Sequence, residues 1–265
     1  MRYQFIQPSP MLAPYVRHYW MLEIDLSDEQ VTERVVPTDS VQLMFHYKKP
    51  FVSISPDRQI NRQPQSMVSG LSNSYIDAVA EGESGVIAVV FHPYGACNFF
   101  RFPLCELQNQ SIHLGDVFSG KISLVEEQIC ECGDLKARVE VIEQFLTEQF
   151  LPVKEHDFSL IKRGTELNKQ SGGQVQSRQL AEKLLVTPKN LERKFVSLVG
   201  QSPKQLSKIV RFWEVMNGLM QKQPRCLTEY AYHNGYFDQS HFIREFKNYS
   251  GYTPSEFVQL YPCPK

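Results

Sequence analysis

The sequence predicts an α+β protein: a β-rich N-terminal domain over residues 1–152, then an all-α C-terminal domain over residues 157–262. Three observations predict it. Short runs rich in Val, Ile and Phe lie in the first half, VQLMFHYKKPFVSI (41–54) and GVIAVVFHPYG (85–95), each bounded by proline, glycine or charge. Beyond PVKEHD (152–157) no such run recurs, and apolar residues fall at helical spacing instead. Finally, a short pattern occurs twice. Leu191, Arg193, Phe195, Gly200, Pro203 and Leu206 are matched 51 positions later by Phe242, Arg244, Phe246, Gly251, Pro254 and Phe257.

The bulk properties set the outer limits. The 265 residues leave room for two domains of ordinary size. A hydrophobic content of 42% with 22% charged residues is that of a soluble globular chain. No run reaches the ~18 apolar residues of a membrane span, and MRYQFIQPSP lacks the apolar core of a secretory signal. A cytoplasmic location is the expectation. Cys97, Cys105, Cys130, Cys132, Cys226 and Cys263 form no C-x-x-C pair and read as free thiols. Cys130-Glu-Cys132 has no further ligands nearby, so neither a metal nor a redox role is expected of it.

Each element has its own justification. MLAPYVRHYWML (11–22) reads as a short helix running into a strand, and GVIAVVF, nearly continuous in apolar character, as a central strand. DLKARVEVIEQFLTEQF (134–150) is an amphipathic helix, with Leu135, Val139, Ile142 and Leu146 on one face and Pro152 beyond its end. That face either packs on its own domain or forms a dimer contact. After the linker at 152–157, helices are expected at 157–170, 178–185, 188–199, 203–221, 226–233, 239–249 and 254–260. Ser177 is a candidate cap of the second. Thr187, Ser202 and Thr253 each precede a proline, the arrangement of an N-cap with proline at the first helical position. Thr253 and Glu256 also fit a capping box, and Asp238 caps the helix opening at Gln239.

The repeat has a physical meaning. On helices, Leu191, Phe195 and Leu198 share one face, as do Phe242, Phe246 and Tyr249. Gly200 and Gly251 supply left-handed C-terminal residues. Each helix follows another short helix across a tight turn, which makes two helix-turn-helix units. The second helix of such a unit fits the major groove, its N-terminal residues reaching base edges. The exposed face of the first carries Lys189, Glu192 and Arg193; the matching positions in the second are Ser240, Ile243 and Arg244. Residues 202–221 would join the units as one long helix, roughly 27 Å for about 18 residues. That approaches the roughly 34 Å repeat of DNA. Charge agrees: residues 1–155 hold 12 Lys and Arg against 20 Asp and Glu, whereas residues 156–265 hold 16 against 9. A basic half suits a polyanion.

These residues resemble a known family. Residues 158–260 are similar to the DNA-binding domain of the AraC/XylS transcription regulators, most closely in GYFDQSHFIREFKNYSGYTPSEF (235–257). Gly200, Ser202-Pro203 and Arg211 agree as well. The resemblance implies a seven-helix domain whose base-reading positions are Lys189, Glu192 and Arg193, then Gln239, Ser240, His241, Ile243 and Arg244. It implies double-stranded DNA and RNA polymerase as partners, with a small-molecule effector and a homodimer as further possibilities. Two residues depart from the pattern: Leu185 stands where the first turn often has glycine, and Glu192 would face phosphate unless it accepts from cytosine N4. FIQPSPMLAPYVRHYW, VVPTDSVQLMFHYKKPF and GVIAVVFHPYGACNFFRFPLCEL resemble an uncharacterised domain that precedes this DNA-binding domain in some bacterial regulators. That domain is similar in role and fold to a cupin-like sensor.

Two alternatives concern the first half. An enzyme would draw on His18, His46, His92, His113 and Tyr94, but the His-x-His of a cupin metal site is absent; no catalytic residue, metal or cofactor is expected. A protein-interaction module without a small ligand would suit the acidic balance. Tyr19, Trp20, Phe45 and Phe91 could line a pocket or simply fill a core.

Overall fold

A computed structural model describes residues 1–25, 31–118, 120–221 and 227–261. Among these residues the strands are β1 (Arg2–Ile6), β2 (Val16–Ile24), β3 (Val31–Val35), β4 (Gln42–His46), β5 (Val52–Ile54), β6 (Ile60–Arg62), β7 (Ser66–Ser69), β8 (Ile76–Ala80), β9 (Ser84–Phe91) and, after two short 3-10 turns at Ala96–Asn98 and Leu104–Leu107, β10 (Ser111–His113). Helices follow: α1 (Leu114–Val117), α2 (Ile122–Glu131), α3 (Leu135–Gln149), α4 (Glu155–Gln170), α5 (Ser177–Lys183), α6 (Pro188–Leu198), α7 (Pro203–Met220), α8 (Leu227–His233), α9 (Gln239–Ser250) and α10 (Pro254–Leu260).

The strands form two antiparallel sheets, one ordered β1-β2-β9-β4-β7-β10 and one ordered β3-β8-β5-β6. β9 sits between β2 and β4 and is buried at every residue, which is what its unbroken apolar run requires. The 41–54 run is not one strand. It splits into β4 and β5, which belong to different sheets, because Lys48-Lys49-Pro50 cannot continue a ladder at Pro50. Residues 10–15 are a turn rather than a helix, and β2 starts only at Val16.

The α3 prediction holds to within a residue. Asp134 caps it by accepting from the Ala137 amide at 2.9 Å, and Val139, Ile142, Phe145 and Leu146 are buried. Those residues belong to the chain's own main core, so this face is spent internally. α5 is capped by Gln176, which exchanges bonds with Gln179; Ser177 is already helical. Thr187, Ser202, Asp238 and Thr253 cap α6, α7, α9 and α10, and three of these helices carry proline in the first turn. Each such cap is worth roughly 1 kcal/mol. Cys226 and Cys263, the first residue of the helix expected at 226–233, and residue 262 lie outside the described residues.

Two cores matter for the interface. The larger joins Phe45 and Phe91 of the strands, Ile142 of α3, and Leu180, Leu191 and Phe195 of α5 and α6. The smaller gathers Phe212 of α7, Phe242, Phe246 and Tyr249 of α9, and Phe257 of α10. The first helix-turn-helix unit therefore shares its core with the N-terminal half, and the second has its own. Tyr19, Phe45 and Phe91 are core residues, not pocket walls; Trp20 is half-buried and donates to Gln42 Oε1 at 3.3 Å.

Candidate nucleic-acid interface

Two helix pairs, α5–α6 and α8–α9, are built alike. In the first, the Val186 amide donates to Ala181 O at 3.0 Å; in the second, the Tyr236 amide donates to Ala231 O at 2.9 Å. Both turns need a left-handed residue just before this donor. Gly235 supplies it with φ of 72°, and Leu185 adopts it with φ of 57° despite its side chain. The missing glycine of the first turn is thus a real departure, with the leucine side chain 93% exposed.

On α6, Leu191 and Phe195 point into the core while Lys189, Glu192 and Arg193 are exposed. Arg193 Nη2 donates to Asn190 Oδ1 at 3.1 Å, which steadies its fork along the helix surface. Lys194 turns the other way and pairs with Asp157 of α4. On α9, Phe242, Phe246 and Tyr249 are buried, and Gln239, Ser240 and Arg244 are exposed. Gln239 Oε1 accepts from Thr228 Oγ1 of α8 at 3.1 Å. His241 and Ile243 are half-buried: His241 stands edge-on to Tyr236 at 5.5 Å, and Ile243 packs against the smaller core. Six of the eight expected residues therefore form two solvent-facing patches, one on α6 and one on α9. The other two flank the second patch. α7, 18 residues long, carries one unit to the other.

The family described as a helix-turn-helix domain matches residues 180–259, and the family described as a domain of unknown function, DUF6597, matches residues 4–113. Residues 180–259 are a helix-turn-helix domain of the AraC type. The chain therefore carries a DNA-binding domain of the AraC type at its C-terminal end. A comparison with curated proteins found no match. Among solved structures, ToxT from Vibrio cholerae is similar over 99% of this chain and 100% of its own, with 9% identity and a TM-score of 0.48. The C-terminal domain of AraT from Geobacillus stearothermophilus is 22% identical over 40% of this chain and 88% of its own, TM-score 0.37. A DNA-binding transcriptional dual regulator from Escherichia coli K-12 is 24% identical over 38% of this chain and 90% of its own, TM-score 0.35.

The AraC-type domain contains a buried charge that the sequence reading missed. Glu245 of α9 is 8% exposed and faces Lys208 at 3.3 Å and Arg211 at 3.7 Å from α7, with His241 at 3.8 Å one turn back. Burial, and then the Glu245 charge, holds the Tyr236 hydroxyl well above the usual phenol range. The signal was present, since Phe242, Glu245, Phe246 and Tyr249 follow the i, i+3, i+4, i+7 spacing of one face. A carboxylate there ties α9 to α7.

The candidate histidines of the first half are dispersed among separate partners. His46 is buried and bonds Pro64 O through Nδ1 at 3.0 Å; burial lowers its pKa. His92 stacks on Tyr94 at 5.2 Å, also with a pKa lowered by burial. His113 caps α1 and reaches Glu126 Oε1 at 3.3 Å. His18 packs edge-on against Phe5. Among the described residues, no group of three or more His, Cys, Asp and Glu could hold a metal ion. No helix among them is long and apolar enough to cross a membrane.

Proposed function

We propose that the chain is a sequence-specific transcription regulator that lays α6 and α9 in adjacent major-groove segments. Lys189, Glu192 and Arg193 read the first segment, and Gln239, Ser240, His241, Ile243 and Arg244 the second. The observation that carries this reading is the duplication: two turns closed by the same hydrogen bond, each followed by a helix that buries aromatic or aliphatic residues and exposes an arginine at the same position. Arginine's fork matches guanine O6 and N7, and glutamine matches adenine. The basic balance of residues 156–265 supports phosphate contact around both.

The chain divides into an N-terminal control domain, residues 1–152, and a DNA-binding domain, residues 157–262. The N-terminal domain answers to a small effector or a second copy of the chain, and the regulator acts in the cytoplasm on RNA polymerase. A cavity of about 250 Å³ between the halves supports effector control; Arg17, Asp39 and His92 line it from one side and Glu166, Lys169 and Leu206 from the other. Covalent chemistry has no part in this function.

Selection of duplexes from a random pool by the purified full chain tests the reading. Convergence on a motif with two separated blocks is the expected result. Retention of duplexes with no sequence in common would refute it.

A further inference from the structure

The two recognition helices are attached to the N-terminal half by different means. α6 shares a continuous apolar core with it, whereas α9 belongs to a separate core. Apart from Val36, which packs against the smaller core, what joins the second unit to the N-terminal half is hydrogen-bonded or cationic, and it centres on Arg34 of β3.

Arg34 stands opposite Asp77 of β8 in the four-stranded sheet. Its fork is bidentate, Nε to Oδ1 at 2.7 Å and Nη2 to Oδ2 at 2.8 Å. The remaining Nη1 donates to Ser250 O, in the last turn of α9, at 3.3 Å. The guanidinium carbon lies 4.2 Å from the Tyr75 ring and 4.4 Å from the Tyr252 ring, one from the loop just before β8 and one from the chain after α9. A cation suits this place twice, since helix C-termini are partly negative and aromatic faces attract guanidinium. Between Ser250 and Tyr252, Gly251 has φ of 79°, and a Cβ there would meet Arg34 Nη1 at 2.6 Å and the Tyr75 ring at 2.8 Å. The glycine that ends the recognition helix also admits the arginine. Asn248 Nδ2 donates to Asn73 O at 2.8 Å, and Trp213 Nε1 of α7 to Pro37 O at 2.9 Å. All of this engages the C-terminal end of α9 and the back of α7. Gln239, Ser240 and Arg244 stay exposed.

We propose that Arg34 is a positioning residue for DNA recognition: by holding Ser250 and Tyr252 against the N-terminal sheet, it sets the orientation in which α9 enters the groove. The inference rests on the reading of α9 as a recognition helix and adds to it the N-terminal half as the support of that helix. Asymmetry is its signature. Releasing Arg34 frees the unit with its own core and leaves the unit embedded in the main core in place.

The test uses the full chain, a duplex selected from a random pool by the wild type, and a set of that duplex's single-base-pair substitutions. Arg193→Ala and Arg244→Ala first assign base pairs to α6 and α9. Arg34→Ala should weaken binding by about tenfold and flatten the base preferences in the α9 block while leaving the α6 block as in the wild type. Arg34→Lys should restore little of this, because an ammonium cannot hold Asp77 bidentately and sit between two rings as well. Tyr75→Leu, which leaves the Arg34–Asp77 pair intact, should give the same pattern more weakly. Equal loss in both blocks, an unchanged profile, tighter binding or full rescue by lysine would each overturn the proposal. If Arg193→Ala and Arg244→Ala leave the wild-type profile untouched, or if no duplex is selected, the recognition-helix reading itself fails, and the proposal with it.

Discussion

Arg211 of α7 and Glu245 of α9 face each other at 3.7 Å in the interior of the second helix-turn-helix unit, with side chains 16% and 6% exposed. Lys208 approaches the same carboxylate one turn earlier along α7. α7 and α9 are thereby registered by charge as well as by the packing of Phe212 on Phe246 at 5.3 Å. A buried carboxylate is tolerated only when it is compensated.

Removing that carboxylate should therefore be expensive. Glu245→Ala leaves Arg211 without its partner and is expected to lower stability by about 3 kcal/mol. Chemical denaturation of the variant checks this. Wild-type stability would mean that the cluster holds nothing together.

Phe246 is fully buried, within 5.3–6.0 Å of the Phe212, Phe242 and Phe257 ring centres. Phe246→Ala should cost roughly 3–5 kcal/mol and shift the thermal transition accordingly. A variant that melts like the wild type would contradict the placement of this ring.

Two left-handed residues, Gly251 at the end of α9 and Leu185 in the first turn, should respond differently. Gly251→Ala meets both an unfavourable φ and the Arg34 and Tyr75 side chains, and should destabilise by more than about 1–2 kcal/mol. Leu185→Gly relieves a left-handed leucine that is 93% exposed, and should leave stability within about 1 kcal/mol of the wild type. Thermal melts of the two variants side by side decide the matter.

Acid sensitivity has a defined origin. Burial works to raise the pKa of Asp39, and the bidentate Arg17 at 3.0–3.1 Å outweighs it; Asp157 is likewise raised by burial and lowered further by Lys194. Both carboxyls end below their ordinary values. Their contribution is complete above the unfolded-state pKa of about 4 and is lost as pH falls through the lower folded-state values. Melting temperature should be flat in this respect from pH 7 to about 5, then fall below about pH 4. Asp39→Asn and Asp157→Asn should each flatten that acid limb; an unaltered limb would contradict the assignment.

Much of the DNA-binding half was legible because its signals are local. Thr187-Pro188, Ser202-Pro203 and Thr253-Pro254 announce helix starts within two residues, and the aromatic and aliphatic spacing of α6 and α9 gives the buried face directly. The expected helix ends lie within two residues of the observed ones, exact at Gln170, His233 and Leu260 and one residue late at 199 against Leu198. Three things were hidden. Arg34 meets Ser250 across 216 positions, and no spacing rule spans that distance. Gln176 displaced Ser177 as a cap because Gln179 could answer it, a reciprocity that short-range preference does not weigh. The 41–54 run was read whole although Pro50 lies within it, and that proline was the available clue to the change of sheet. Glu245 could have been found, since its position on the apolar face was fixed by its neighbours.

Base-by-base binding of the full chain to its selected duplex tests the central claim most directly. Two blocks of sequence dependence are predicted, centred about one helical repeat (~10 base pairs) apart. Arg193→Ala should relax selectivity in one block only and Arg244→Ala in the other only, each at roughly 1–3 kcal/mol. A single block, or two arginine variants that alter the same base pairs, would contradict the account of two recognition helices carried on one bridge.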